Sequence, residues 1–167
     1  MTLDTVIFDM DGLLIDSEPL WHEAADEVFE KYGFKLTPSL YATTTGLRSI
    51  EFVQWWFAYF KINLNEAVVA NDEIVKLVIS KVISKGKVLP GVEHIFNFFI
   101  ERNFKIGLAT SSNDALIDVV VEKLGIWNYI QAMTSAELLP FGKPHPEVYL
   151  NCAAQLKSNP VNCICFE

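Results

Sequence analysis

Residues 5–12, Thr5-Val6-Ile7-Phe8-Asp9-Met10-Asp11-Gly12, decide the fold. Four β-branched or aromatic residues in succession read as a short buried strand. The strand runs out at Asp9, and Gly12 marks the loop that follows. A buried strand ending in two acids one residue apart puts carboxylates at a sheet edge, where open α/β sheets bind their ligands.

Working outward, the pattern changes at Ser17. Trp21, Ala24, Ala25, Val28 and Phe29 recur at spacings of three and four with acids between them, an amphipathic helix stopped near Gly33. Ile50, Val53, Trp56 and Phe60 form a second such stripe. Ile74, Val75, Val78, Ile79, Val82 and Ile83 form a third. Residues 17–87 are therefore expected to be helical, and Ser84-Lys85-Gly86-Lys87 with Pro90-Gly91 closes them off.

Beyond Gly91, helix and strand alternate. The expected elements are a helix over 92–102, a strand over 105–110, a helix over 114–124 with Gly125 as its stop, a short strand over 130–134, a helix over 146–156 and a strand over 163–166. This alternation predicts an α/β fold with a parallel sheet. Residues 1–16 and 88–167 form its core, and residues 17–87 are a helical unit inserted after the first strand.

Composition agrees and excludes several classes. The 167 residues suit one domain or slightly more, and 51% hydrophobic against 20% charged residues exclude a disordered chain. The net charge of −8 is spread as −3, −2 and −3 over residues 1–15, 16–87 and 88–167, so no nucleic-acid partner is expected. No apolar run approaches the ~18 residues of a membrane span. The start Met1-Thr2-Leu3-Asp4 has no basic stretch of the kind that opens a signal peptide. Cys152, Cys163 and Cys165 are an odd number without a secretory signal, which argues against a disulfide framework. Cys163 and Cys165 read as small buried hydrophobes on one strand face. A cytoplasmic monomer is expected.

The strand ends carry the chemistry. The first ends in Asp9 and Asp11, and the second ends in Thr110-Ser111-Ser112-Asn113 leading into a helix. The loop after the third carries Gly142-Lys143-Pro144, and the last ends at Glu167. A carboxylate can attack phosphorus, and a second one nearby can pass a proton to the leaving oxygen. Two carboxylates beside a phosphate need a cation, and Mg²⁺ takes one or two carboxylates with phosphate and water. Thr110, Ser111 and Ser112 at a helix N-terminus can hold phosphate oxygens, and Lys143 can neutralise the transferring group. An Asp-x-Asp-Gly alone is as readily a turn. An EF-hand is excluded, because Leu14 and Leu20 stand where its Gly and Glu belong.

The segments DMDGLLIDSEPLW (9–21), LATSSN (108–113) and GKPHPEVYL (142–150) together resemble the haloacid dehalogenase (HAD) superfamily, over essentially the whole chain. The helical insertion resembles the cap of its β-phosphoglucomutase-like subgroup. The resemblance implies a HAD-like Rossmannoid core with a small helical cap domain. It implies Asp9 as nucleophile and Asp11 as general acid and base. It implies Thr110 and Lys143 as the second and third motifs, and Mg²⁺ on the Asp9 carboxylate and the Asp11 backbone carbonyl. Its fourth motif is an acidic pair. Glu167 stands as the first acid, a further metal ligand, and the second acid with the remaining strand and helices is expected to be missing.

In the mutase of that subgroup a histidine follows the first motif, whereas Trp21 takes that place here and His22 is one residue off. GLLIDSEPLW with Thr45-Gly46-Leu47-Arg48 looks more like the sugar phosphatases of the 2-deoxyglucose-6-phosphate type. Gly46 and Arg48 are expected on a cap loop facing the core, with Arg48 gripping the substrate and Asn113 beside it. The expectation is a Mg²⁺-dependent phosphatase that hydrolyses a small sugar or polyol phosphate through an aspartyl-phosphate. The rivals are a phosphomutase of the same fold and, from another class, a non-catalytic phosphate-binding module or inert fragment.

Overall fold

The computed structural model describes residues 2–167. Four strands, β1 (Thr5–Phe8), β2 (Lys105–Thr110), β3 (Ala132–Ser135) and β4 (Cys163–Phe166), form one sheet in the order β3-β2-β1-β4. Every pairing is parallel: Phe8 lies opposite Leu108 on one side and Phe166 on the other, and Thr110 lies opposite Ser135. The architecture is the expected α/β fold, with all the carboxyl ends of the strands at one edge.

Both faces of the sheet are covered, which is why β1 is a continuous buried run and not an alternating one. Val6 and Phe8 face α5 (Val92–Glu101) and α6 (Asp114–Leu124). On that face Phe8 stacks on Phe96 at 5.0 Å and on Phe166 at 5.3 Å. Ile7, Ala109 and Ala132 face Val148, Cys152 and Ala153 of α7 (Glu147–Gln155). Gly107 lets α7 approach closely, since a Cβ there would lie 2.5 Å from Cys152 Sγ and 2.9 Å from Leu156 Cδ1.

Between β1 and α5 the chain is helical: α1 (Glu18–Phe29), α2 (Pro38–Tyr41), α3 (Ser49–Tyr59) and α4 (Ala67–Lys85). Helices α1 and α3 both pack on α4, burying Phe29, Trp56 and Phe57, and α4 packs in turn on α6. The entering and leaving segments pair with each other. Asp16 N donates to Lys87 O at 2.9 Å and Leu89 N to Leu14 O at 3.1 Å, which fixes the insertion over the carboxyl edge of the sheet. Among the described residues, no helix is long and apolar enough to cross a membrane.

Three local expectations need correction. Helix α4 begins at Ala67, well before the stripe starting at Ile74, because Ala67 and Ala70 are too small to stand out as apolar anchors although both are fully buried. The third strand starts at Ala132, not at residue 130. Cys163 is half-buried against the cluster around Ile7 and Cys165 is exposed, because among the described residues β4 is the outermost strand, with Ile164 and Phe166 turned to the opposite face.

Candidate active site

Asp9 leaves β1 with its N–H donating to Phe166 O at 2.9 Å, so pairing with β4 sets the direction of its side chain. The Asp9 carboxylate is paired with Lys143 Nζ at 2.8 Å, and Glu167 Oε1 lies 3.2 Å from the same nitrogen. The Lys143 side chain is only 8% exposed, so this ammonium is dedicated to the site and is not a solvated surface lysine. It also lies 4.8 Å over the Tyr149 ring, and the Tyr149 hydroxyl donates to Glu167. Burial pushes the Asp9 carboxyl above the ordinary aspartate range. Lys143 opposes that shift, and the neighbouring Asp11 adds to it.

Asp11 is held on both oxygens. Ser17 Oγ donates to Oδ1 at 2.5 Å and Trp21 Nε1 to the same oxygen at 3.2 Å. Ser112 Oγ donates to Oδ2 at 2.6 Å, and Thr110 Oγ1 lies 3.4 Å from it. Gly12 turns the chain here at φ +72°, which lets Glu18 of α1 come within 3.6 Å of where a Cβ would sit.

The second strand end splits its three hydroxyls. Thr110 is buried and accepts from Ser112 N at 3.1 Å. Ser111 reaches across to the insertion and donates to Gly46 O at 3.2 Å. Ser112, grouped from sequence with the phosphate-binding hydroxyls, places its Oγ on Asp11. Asn113 caps α6, with Oδ1 accepting from Leu116 N at 2.9 Å, and it does not line the cavity.

Arg48, expected to grip a substrate, also points elsewhere. Its Nη2 meets Glu51 Oε1 at 2.5 Å, and its Nη1 donates to Leu139 O at 2.5 Å and to Ala136 O at 3.3 Å. Gly142 lies against it, since a Cβ there would be 3.1 Å from Arg48 Nε.

Between sheet edge and insertion lies a cavity of about 290 Å³. Its floor is Asp9, Asp11, Thr110, Ser111, Ser112, Lys143 and Glu167. Its roof includes Glu18, Trp21, His22, Thr45, Gly46, Ser49 and Phe52. The sequence pattern alone does not mark Glu18 or His22 as members of the site. In fact α1 starts against the sheet edge, so its first two turns face the cavity: His22 stacks on Tyr41 at 3.9 Å and lies 3.9 Å from Glu18. The available signal was position, seven and eleven residues after Asp11 on a helix that must begin at the strand end.

The donor set suits a hard divalent cation. The Asp9 and Glu167 carboxylates and the Asp11 main-chain carbonyl are all oxygens, and the floor carries three carboxylates against one lysine. Among the described residues no group of three or more His, Cys, Asp or Glu side chains is placed to hold a metal ion by itself, so an ion here would rest on one or two carboxylates. One or two carboxylates with open positions for phosphate and water is the Mg²⁺ pattern, so the residues fit that ion.

Comparison with known proteins places the chain in a family. A family model described as haloacid dehalogenase-like hydrolase matches residues 6–167. Hexitol phosphatase B of Escherichia coli strain K12 is 36% identical over 162 residues, covering 96% of this chain and 73% of that protein. A phosphorylated carbohydrates phosphatase of Thermotoga maritima is 30% identical, covering 99% and 76%. The crystal structure of β-phosphoglucomutase from Clostridium difficile superposes with a TM-score of 0.88 at 26% identity, covering 99% of this chain and 76% of that one.

Proposed function

From the premise that this chain belongs to the haloacid dehalogenase-like hydrolase family, we propose that it hydrolyses the phosphate monoester of a small sugar or polyol in a Mg²⁺-dependent reaction through an aspartyl-phosphate. The observation that carries the reading is the division of labour between the two carboxylates. Asp9 faces Lys143 at 2.8 Å on the cavity floor, and Asp11 is steadied by hydroxyl and indole donors beside it. One carboxylate is thereby offered to an anion and the other is fixed for proton transfer.

Asp9 attacks phosphorus in line, forming an aspartyl O–P bond as the ester P–O bond breaks. Asp11 gives its proton to the departing alkoxide. Asp11 then takes a proton from water as that water attacks phosphorus, releasing phosphate and restoring the Asp9 carboxylate. Lys143 and the N–H groups at the start of α6 balance charge on the transferring group. Asp9, the Asp11 carbonyl and Glu167 would hold Mg²⁺, which supplies the charge neutralisation that lets a phosphate approach these carboxylates.

The helical insertion acts as a cap, excluding bulk water while Arg48 and Ser111 tie it to the core. The substrate class draws on the relatives, one named a hexitol phosphatase and another a phosphorylated carbohydrates phosphatase. The free thiols of Cys152, Cys163 and Cys165 suit a cytoplasmic setting.

A phosphomutase remains the second reading, favoured by the superposition on β-phosphoglucomutase. Incubation with β-glucose 1-phosphate and a glucose bisphosphate primer separates the two. Free phosphate and glucose are expected, and accumulation of glucose 6-phosphate would overturn the phosphatase reading.

A further inference from the structure

We propose that Trp21 is a positioning residue for the proton-transfer carboxylate, its indole N–H fixing the rotation of the Asp11 side chain. The inference rests on the phosphatase reading for the role of Asp11, and it goes beyond that reading in naming the group that aims it.

The donors on Asp11 come from two separate parts of the chain. Oδ2 is met from the end of β2, by Ser112 Oγ at 2.6 Å with Thr110 Oγ1 at 3.4 Å. Oδ1 is met from the segment that enters the insertion, by Ser17 Oγ at 2.5 Å and Trp21 Nε1 at 3.2 Å. Ser17 is fully buried and its carbonyl accepts from Trp21 N at 3.0 Å, so the two Oδ1 donors stand one helical turn apart on one rigid frame.

These donors differ in kind. A hydroxyl rotates and can accept as well as donate, so Ser17, Thr110 and Ser112 can follow the carboxylate as it turns. An indole N–H only donates, in a direction set by the plane of a large ring. The Trp21 ring is partly buried against the hydrophobic core and lines the cavity beside Asp11. Its bond to Asp11 is therefore made only while Oδ1 points towards α1, which keeps Oδ2 on the β2 side. Packing alone accounts for an aromatic ring at this position. The aim of its N–H at a carboxylate oxygen assigns it to Asp11. A general acid works only within hydrogen-bond reach of the departing oxygen, so a carboxylate free to rotate loses rate by misalignment.

The test is phosphate release in Mg²⁺ buffer by wild-type protein, by Trp21→Phe and by protein carrying 3-benzothienylalanine at position 21, an isostere in which sulfur replaces the N–H. Sorbitol 6-phosphate, whose alkoxide needs a proton to depart, is compared with acetyl phosphate, whose acetate does not. The quantity read is kcat/KM, which covers formation of the aspartyl-phosphate but not its hydrolysis. In both altered proteins it should fall at least about tenfold for sorbitol 6-phosphate and stay within about threefold for acetyl phosphate. An equal fall for both substrates, no fall for sorbitol 6-phosphate, or a fall in Trp21→Phe that the isostere does not share would overturn the proposal. The two readings fail separately. Wild-type protein that releases no phosphate from either substrate sinks the phosphatase reading and this inference with it, whereas an active wild type with any of those three outcomes sinks the inference alone.

Discussion

Arg48, at the start of α3 in the helical insertion, donates from Nη1 to the carbonyl oxygen of Leu139 in the core at 2.5 Å. With its side chain 13% exposed and Glu51 at 2.5 Å, this arginine forms a shielded clasp between the insertion and the core. Arg48→Ala leaves Glu51 without its cation and two carbonyls without a donor. A loss of about 1–3 kcal/mol is expected, read as a lower urea midpoint, with Arg48→Lys intermediate because an ammonium cannot reproduce the fork. An unchanged midpoint would mean that the clasp holds nothing in solution.

Ser112 distinguishes two assignments of the same hydroxyl. Its Oγ is 2.6 Å from Asp11 Oδ2, so it positions the proton-transfer carboxylate. Ser112→Ala should lower kcat roughly tenfold while KM for the sugar phosphate stays within about twofold. A rise in KM at constant kcat would return Ser112 to phosphate binding, where its place in the sequence had put it.

Glu18 links the site to stability. Burial raises its carboxyl above the ordinary value of 4.5; His22 opposes the shift, and the charges of Asp11 and Asp9 add to it. A group whose folded-state value is raised contributes stability below its unfolded value, and that contribution is lost as pH rises through the folded value. At neutral pH holding Glu18 in its folded environment is therefore a net cost. Glu18→Gln should raise the urea midpoint at pH 7, and the difference from wild type should vanish below pH 4.5. A variant less stable than wild type at pH 7 would contradict this.

Gly107 tests the packing that carries the sheet. Its missing Cβ leaves room for Cys152 Sγ, which an added methyl would approach to 2.5 Å. Gly107→Ala should cost about 1–3 kcal/mol. Adding Cys152→Ala should recover more than additivity allows, by at least about 0.5 kcal/mol in a double-mutant cycle. Strict additivity would show that α7 shifts instead of clashing.

The sheet and the floor of the site were legible in the chain because each depends on local pattern. Thr5–Phe8 reads as a strand by its side chains alone, and Asp9, Asp11, Thr110 and Lys143 fall at strand ends in order. The roof was not legible, since its members come together through tertiary packing. Glu18 and His22 look like any acidic and polar positions on an amphipathic helix until α1 is set against the sheet edge. Arg48 shows the opposite failure. Its residue type suits an anionic ligand, yet its partners Leu139 and Ala136 lie about ninety residues away and contribute only backbone carbonyls, which no side-chain pattern announces. Cys163 and Cys165 misled for a third reason: an apolar run does not say whether its strand is interior or at an edge.

The most direct test of the account is phosphate release from sorbitol 6-phosphate by wild-type protein and Asp9→Asn, each with Mg²⁺ and each shown to be folded. The account predicts steady turnover for wild type and a loss of at least about a thousandfold in kcat for Asp9→Asn, because the amide cannot form the aspartyl-phosphate. Turnover by Asp9→Asn within tenfold of wild type would contradict it.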